Sequence, residues 1–170
     1  MSDDNNLKKP VFKGLTWHRE QYFSFFIPMD WQKVNWQDER QGILYIPTTE
    51  DAHSLFAVEV KDLGTTVTAD DLPYLEMGFL DAIKALPESK IESKKTNVTG
   101  KLVQLEAKYS YLEDGEMRKR WVRVLYHGTR QVTVTAQGAT IEKYHYWLPM
   151  FNEAMMTIKV HSTMPDQLPL

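Results

Sequence analysis

The sequence predicts an α+β domain, an antiparallel sheet of about six to eight strands with helices packed on its faces. Three observations predict it. Residues 102–112 alternate, with Val103, Leu105, Ala107, Tyr109 and Tyr111 on one side and Gln104, Glu106, Lys108 and Ser110 on the other, the period of a half-buried strand. Asp114-Gly115 then suits the paired positive-φ positions of a tight type I′ hairpin turn. Two further segments, residues 66–86 and 139–160, carry apolar residues at spacings of three and four, the stripe of an amphipathic helix.

In chain order, residues 1–9 are polar and are expected to form a disordered tail. The aromatic run at 22–27 reads as a strand ended by Pro28, which has no N–H to give a ladder. Residues 31–34 add a short strand. Residues 42–47 and 54–61 are further strands around a polar turn at 48–53, and Phe56, Val58 and Val60 share one face. Thr68 caps the first helix, with Asp70 and Asp71 in the turn where negative charge complements the helix dipole. Leu72, Leu75, Phe79, Ile83 and Leu86 form its buried stripe, and Pro87 stops it. Residues 90–96 read as an edge strand and 97–100 as a turn.

The meander that follows has strands at 102–112, 117–126 and 130–136. With Glu113 opposite Glu116, Leu105 faces Val124, Ala107 faces Val122, Val103 faces Tyr126, and Glu106 meets Arg123, so the apolar residues stay on one side. The turn at 127–129 is expected to place Tyr126 opposite Arg130, which brings Val124 to Val132 and Val122 to Val134. In the second helix Ile141, Tyr144, Leu148, Phe151, Met155 and Ile158 make the inner stripe. Pro149 interrupts it, predicting a bend or two abutting helices near Leu148. Residues 161–170 read as a flexible tail, leaving one domain at 10–160.

A chain of 170 residues with 42% hydrophobic and 12% aromatic residues suits one domain with a sizeable core. Its 20 basic and 23 acidic residues argue against an electrostatic nucleic-acid binder. No apolar run approaches the roughly 18 residues of a transmembrane helix, so no membrane insertion is expected. The absence of cysteine excludes disulfides, thiolate metal sites and a Cys nucleophile. The polar N-terminus shows no hydrophobic signal segment, which points to the cytoplasm.

The run Tyr22-Phe23-Ser24-Phe25-Phe26-Ile27-Pro28-Met29-Asp30-Trp31 resembles the aromatic strand, proline and tryptophan that open the PsbP-like superfamily. That superfamily includes the photosystem II PsbP extrinsic subunit, the Ran-binding Mog nuclear-import factor and bacterial DcrB-like proteins. The strand Phe56-Ala57-Val58-Glu59-Val60, the Gly-linked meander after a helix, and the ending Tyr144-His145-Tyr146-Trp147-Leu148-Pro149-Met150-Phe151 fit the same pattern. The resemblance spans most of residues 20–160. It implies an α/β/α sandwich, with helices on both sides of a central antiparallel sheet. It also implies a non-enzymatic accessory or binding role, such as stabilising a membrane complex or binding a small GTPase. No functional motif of either branch matches, so no site residue carries over.

Among candidate chemistry, Glu142 and His145 have the i, i+3 spacing of di-iron bundles, but such sites need two such motifs and further carboxylates. They read as a solvated pair, and no cofactor is expected. Glu50-Asp51-Ala52-His53-Ser54 gathers acid, base and hydroxyl without a strained nucleophile turn, so it reads as a polar turn. Arg118, Lys119, Arg120 and Arg123 alternate with Trp121, as on an anion or RNA surface. Glu106, Glu113, Asp114 and Glu116 lie in the same hairpin, however, and Tyr109 and Tyr111 fall opposite Arg120 and Arg118, which favours internal cation–π packing. The segment Asn97-Val98-Thr99 matches a glycosylation sequon by coincidence.

Trp31 and Trp36 flank a polar loop holding Asp38, Glu39 and Arg40. Tryptophans there anchor a partner or lid the core. This loop is the first candidate binding surface, with Trp17 and His18 near it. The expected function is a non-enzymatic module that binds another protein, without nucleic acid. The alternative is a small-molecule or lipid-binding domain with an aromatic and methionine-lined cavity between sheet and helix. An enzyme or metal protein ranks last, since it needs at least three of His18, His53, His127, His145 and nearby acids to converge in one cleft.

Overall fold

Alternating apolar residues build two antiparallel sheets in the computed structural model, which describes residues 9–36 and 38–161. The strands are β1 (Leu15–Arg19), β2 (Phe23–Pro28), β3 (Gln32–Val34), β4 (Gln41–Ile46), β5 (Leu55–Asp62), β6 (Lys90–Thr99), β7 (Leu102–Glu113), β8 (Glu116–His127), β9 (Arg130–Gly138) and β10 (Lys159–Val160). The helices are α1 (Leu72–Lys84) and α2 (Ile141–Thr157). A seven-stranded sheet has the order β3-β4-β5-β9-β8-β7-β6, and a three-stranded sheet the order β1-β2-β10. β1 and β10 were not read from the sequence. The expected tails at 1–9 and 161–170 lie outside the described residues except for Lys9 and His161. His161 instead is held in place: its N–H donates to the Tyr22 carbonyl at 2.8 Å.

The β7–β8 register is the predicted one: Leu105 faces Val124, Ala107 faces Val122 and Glu106 faces Arg123. Asp114 and Gly115 have φ of 53° and 78°, as the type I′ turn requires. The β8–β9 register differs from expectation by one residue. His127 pairs with Arg130 across a two-residue turn led by Gly128, φ 62°, so Val124 faces Thr133 and Val122 faces Thr135. Val132, Val134 and Ala136 therefore point to the opposite side from Val122 and Val124, because a one-residue slip exchanges the faces of a strand. The expectation assumed one covered face. The centre of this sheet is covered on both, so each strand buries residues in both directions.

On one face α1 lays Leu72, Leu75, Phe79 and Ile83, and the turn after it Leu86, over Val103, Leu105, Tyr109, Val122 and Val124. On the other, α2 and β2 close over Phe56, Val58, Trp121, Leu125, Val132 and Val134 with Phe23, Phe25, Ile27, Phe151 and Met155. A single 3-10 turn, Ala69–Asp71, precedes α1, which starts later than predicted. There the Asp71 carboxylate accepts the Thr68 N–H at 2.8 Å. β6 runs on to Thr99 where a turn was expected, and Gly100, φ 60°, makes the turn. α2 begins under a Thr140 hydroxyl that accepts the Lys143 N–H at 3.0 Å. It continues unbroken through Pro149. The proline is exposed, so water is at hand for the carbonyl it leaves unpaired. The helix stops at Thr157 and the chain returns as β10, so Ile158 packs on the core from beyond the helix, whereas Ile141 faces solvent.

Candidate functional site

β2 alternates Phe23, Phe25 and Ile27 into the core, which leaves Phe26 on the outer side. There it pairs in register with Trp17 of β1, their rings 4.5 Å apart. Trp17 is 39% and Phe26 36% exposed, and Met29, 59% exposed, follows at the strand end. The Met29 N–H donates to the Gly14 carbonyl at 2.9 Å, which holds it at the start of β1.

One register step away, β2 places Ser24 between Arg19 of β1 and Lys159 of β10. The His161 ring lies over this row, 2.9 Å from the Ser24 hydroxyl. Burial, together with the charges of Arg19 and Lys159, pushes His161 below the usual histidine value. The outer face of the small sheet is thus an aromatic pair flanked by a cationic row.

The inner side of β1 carries a polar clasp. His18 stacks on Phe25 and lies edge-on to Tyr45 of β4. Its Nε2 is 3.1 Å from a Glu20 carboxylate oxygen and its Nδ1 is 2.8 Å from the Tyr45 hydroxyl. A carboxylate only accepts, so Nε2 carries the proton and Tyr45 donates to Nδ1. Burial lowers the His18 pKa against the opposing bond to Glu20, and burial raises that of Tyr45.

The predicted binding loop is divided. Trp31 is 7% exposed and belongs to the core, edge-on to Trp147 and Phe151. In this loop it acts as a lid, so it is no exposed anchor. Trp36 is half-buried and lies under the Arg40 guanidinium at 4.6 Å. Arg40 Nε donates to Asp38 at 2.9 Å, and Asp38, Glu39 and Arg40 are exposed. Arg40 therefore links Trp36 to Asp38. Trp17, placed near this loop by expectation, belongs instead to the aromatic pair.

The other candidates resolve into structural roles. Ser54 is buried and its hydroxyl accepts the Ala139 N–H at 3.0 Å, while the His53 carbonyl accepts from Gln137 at 2.7 Å. The basic cluster splits between the two faces of β8. Arg118 bonds Glu113 at 2.8 Å, Lys119 bonds Glu92 at 2.7 Å, and Arg120 lies over Tyr111 at 4.6 Å. Lys119 also sits 4.7 Å above Tyr144. Burial, then the charges of Glu92 and Glu106, push Tyr144 up to about 12. Glu142 and His145 line an external groove of about 760 Å³ on the solvent side of α2 with Phe12, Tyr146, Pro149 and Met150. This groove lies outside the layer between sheet and helix, where a ligand cavity was expected. Among the described residues no group of three or more acids and histidines is gathered for a metal, and no helix is long and apolar enough to cross a membrane.

Phe26, Met29, Lys159 and His161 were not read as site residues. The alternation of β2 contains the signal for Phe26, the one aromatic of that strand that falls out of step with the core.

No protein-family model matches the sequence, and no curated protein does. Solved structures do match. Cyanobacterial PsbP (CyanoP) from Synechocystis sp. PCC 6803 is similar with a TM-score of 0.61 at 15% identity, over 91% of this chain and 99% of that one. PA94 from Pseudomonas aeruginosa, a protein of unknown function described as a putative regulator, gives 0.60 at 16% identity, over 88% of this chain and 99% of that one. The Saccharomyces cerevisiae Ran-binding protein Mog1p gives 0.52 at 7% identity, over 82% and 90%. With a central antiparallel sheet, a helix on each face and the small sheet that carries Trp17 and Phe26, the chain has the PsbP-like fold.

Proposed function

We propose that this chain is a non-enzymatic binding module whose docking face is the outer side of the three-stranded sheet. The observation that carries the reading is the exposed Trp17–Phe26 pair, set beside Met29 and the cationic row of Arg19 and Lys159, over which the His161 ring lies. Exposed aromatic clusters with a polar rim mark interaction sites, and Trp and Arg dominate binding hot spots. The cationic row selects the partner: a protein presenting an apolar anchor bordered by carboxylates. The fold agrees with this reading, since one protein that shares it is a Ran-binding protein. The groove on α2 supports the small-molecule alternative less well, because it is an open furrow on the solvent side of the helix.

The test replaces Trp17 with a photo-crosslinking phenylalanine in the full chain and captures partners from the source cells. Trp17→Ser/Phe26→Ser and Arg19→Glu/Lys159→Glu are then compared with wild type by direct binding, folding being verified by circular dichroism. The expected result is a crosslinked protein whose binding falls at least about tenfold in both variants. A partner that still binds both variants, yet is lost on Trp36→Ala/Arg40→Ala, moves the site to the loop of Trp36, Asp38, Glu39 and Arg40.

A further inference from the structure

The seven-stranded sheet ends on very unequal edges. β3 at one side has three residues, whereas β6 at the other has ten. Among the described residues nothing pairs with the outer edge of β6, and all of its residues are exposed except half-buried Ile91. A long open edge is a template for another strand, and proteins blunt such edges with bulges, prolines, charges or covers. β6 is bulged between Ile91 and Ser93, where Glu92 reaches the buried Lys119. From Ser93 to Thr99 its register with β7 is unbroken, and the stretch holds no proline, glycine or acid.

We propose that this edge receives an extended acidic segment of a partner protein, which adds an eighth, antiparallel strand to the sheet. The charges of β6 determine the occupant. Lys94 and Lys95 are neighbours and so project to opposite faces. Lys94 shares the α1 side with Thr96 and Val98, and Lys95 shares the α2 side with Asn97. Their internal ion pairs, to Glu76 at 3.7 Å and Glu106 at 3.6 Å, are solvent-exposed at the lysine and hence weak. Glu106 is moreover shared with the Trp121 indole and with Arg123. A second copy of this chain would add its own Lys94 and Lys95 to the same short stretch. An acidic strand neutralises both while its backbone pairs with the open edge. The guest pattern follows from the register: adjacent carboxylates opposite Lys95 and Lys94, and a β-branched apolar residue opposite Val98, which is 38% exposed. Each pair in this sheet is antiparallel, so the guest runs Val-x-x-Glu-Glu.

The probe is the peptide Thr-Val-Thr-Thr-Glu-Glu-Thr, capped at both ends, titrated into isotope-labelled full chain and followed by amide chemical shifts and hydrogen exchange. The expected result is shifts centred on Ser93–Thr99, with protection at alternate amides. Lys94→Glu/Lys95→Glu should lose at least about tenfold in affinity for this peptide and gain a similar factor for the Lys-Lys counterpart. That reciprocal gain separates recognition from misfolding. Binding of neither peptide, equal binding of both, or shifts mapping away from β6 overturns the proposal. Concentration-dependent shifts of β6 without peptide overturn it in favour of a second copy.

Discussion

One helix covers each face of the seven-stranded sheet, yet the two faces are built differently. Under α2, Phe151, Ala154 and Met155 are fully buried, and β2 adds Phe23, Phe25 and Ile27 to the same core. Under α1, Ile83 is buried, but Leu72, Leu75, Phe79 and Leu86 pack only partly shielded, with Tyr74 and Met77 in solvent. The α1 face draws on residues 63–126, a continuous stretch of chain. The α2 face collects residues from 22 to 160, so it forms only when distant parts of the chain meet. Local pattern suffices for a thin cover, whereas the deep core needs the whole chain.

The largest expected effect tests that depth. Phe151→Ala should cost about 3–5 kcal/mol, and Ile83→Ala about 2–3 kcal/mol, because half-shielded neighbours can relax into the gap. Denaturant titration of both variants decides, and an Ile83 cost equal to that of Phe151 breaks the comparison.

A pair of glycines sharpens it. A Cβ on Gly138 would collide with the backbone of Tyr144 in the first turn of α2, whereas one on Gly78 of α1 meets nothing within 4 Å. Gly138→Ala should therefore destabilise by about 1–3 kcal/mol, and Gly78→Ala should stabilise by about 0.4–1 kcal/mol. Melting temperatures that move in the same direction for both would refute the contrast.

The smallest effect is acid sensitivity, confined to the α2 side. His18 has its pKa lowered in the folded chain, so the unfolded chain binds the proton more readily. Its contribution is complete above the ordinary value of 6.5 and is lost as pH falls through that value towards the lowered one. His161 acts in the same direction. Melting temperature should fall as pH drops below about 6.5, and His18→Leu should flatten that slope even though it loses the bonds to Tyr45 and Glu20. An unchanged slope would remove the clasp from the account.

Much of the fold was legible because its signals are local. The Asp114-Gly115 turn fixes the β7–β8 register by itself. The α1 stripe and the Thr68–Asp71 start need only helix geometry. The β8–β9 register is not legible locally, because Val132 and Val134 fit either face by polarity. The choice rests on which face α2 and the small sheet fill. The candidate site was harder to read. Tryptophan is as suited to a core as to a partner, and Trp31 and Trp17 took opposite fates according to what packs against each.

The sequence by itself determined the α+β class, the meander, the two amphipathic helices and the edge position of β6, since alternation, turn chemistry and helical spacing act over a few residues. Tertiary structure alone decided that β1 and β10 join β2 in a second sheet, that Trp31 is core, and that Phe26 meets Trp17 at the surface. The physical reason is that burial belongs to pairs of distant segments. β10 has two residues and β1 no strong pattern, so neither is a strand until β2 supplies its ladder. Only that ladder sorts the aromatics of β2 into those that hold the core and one left to water.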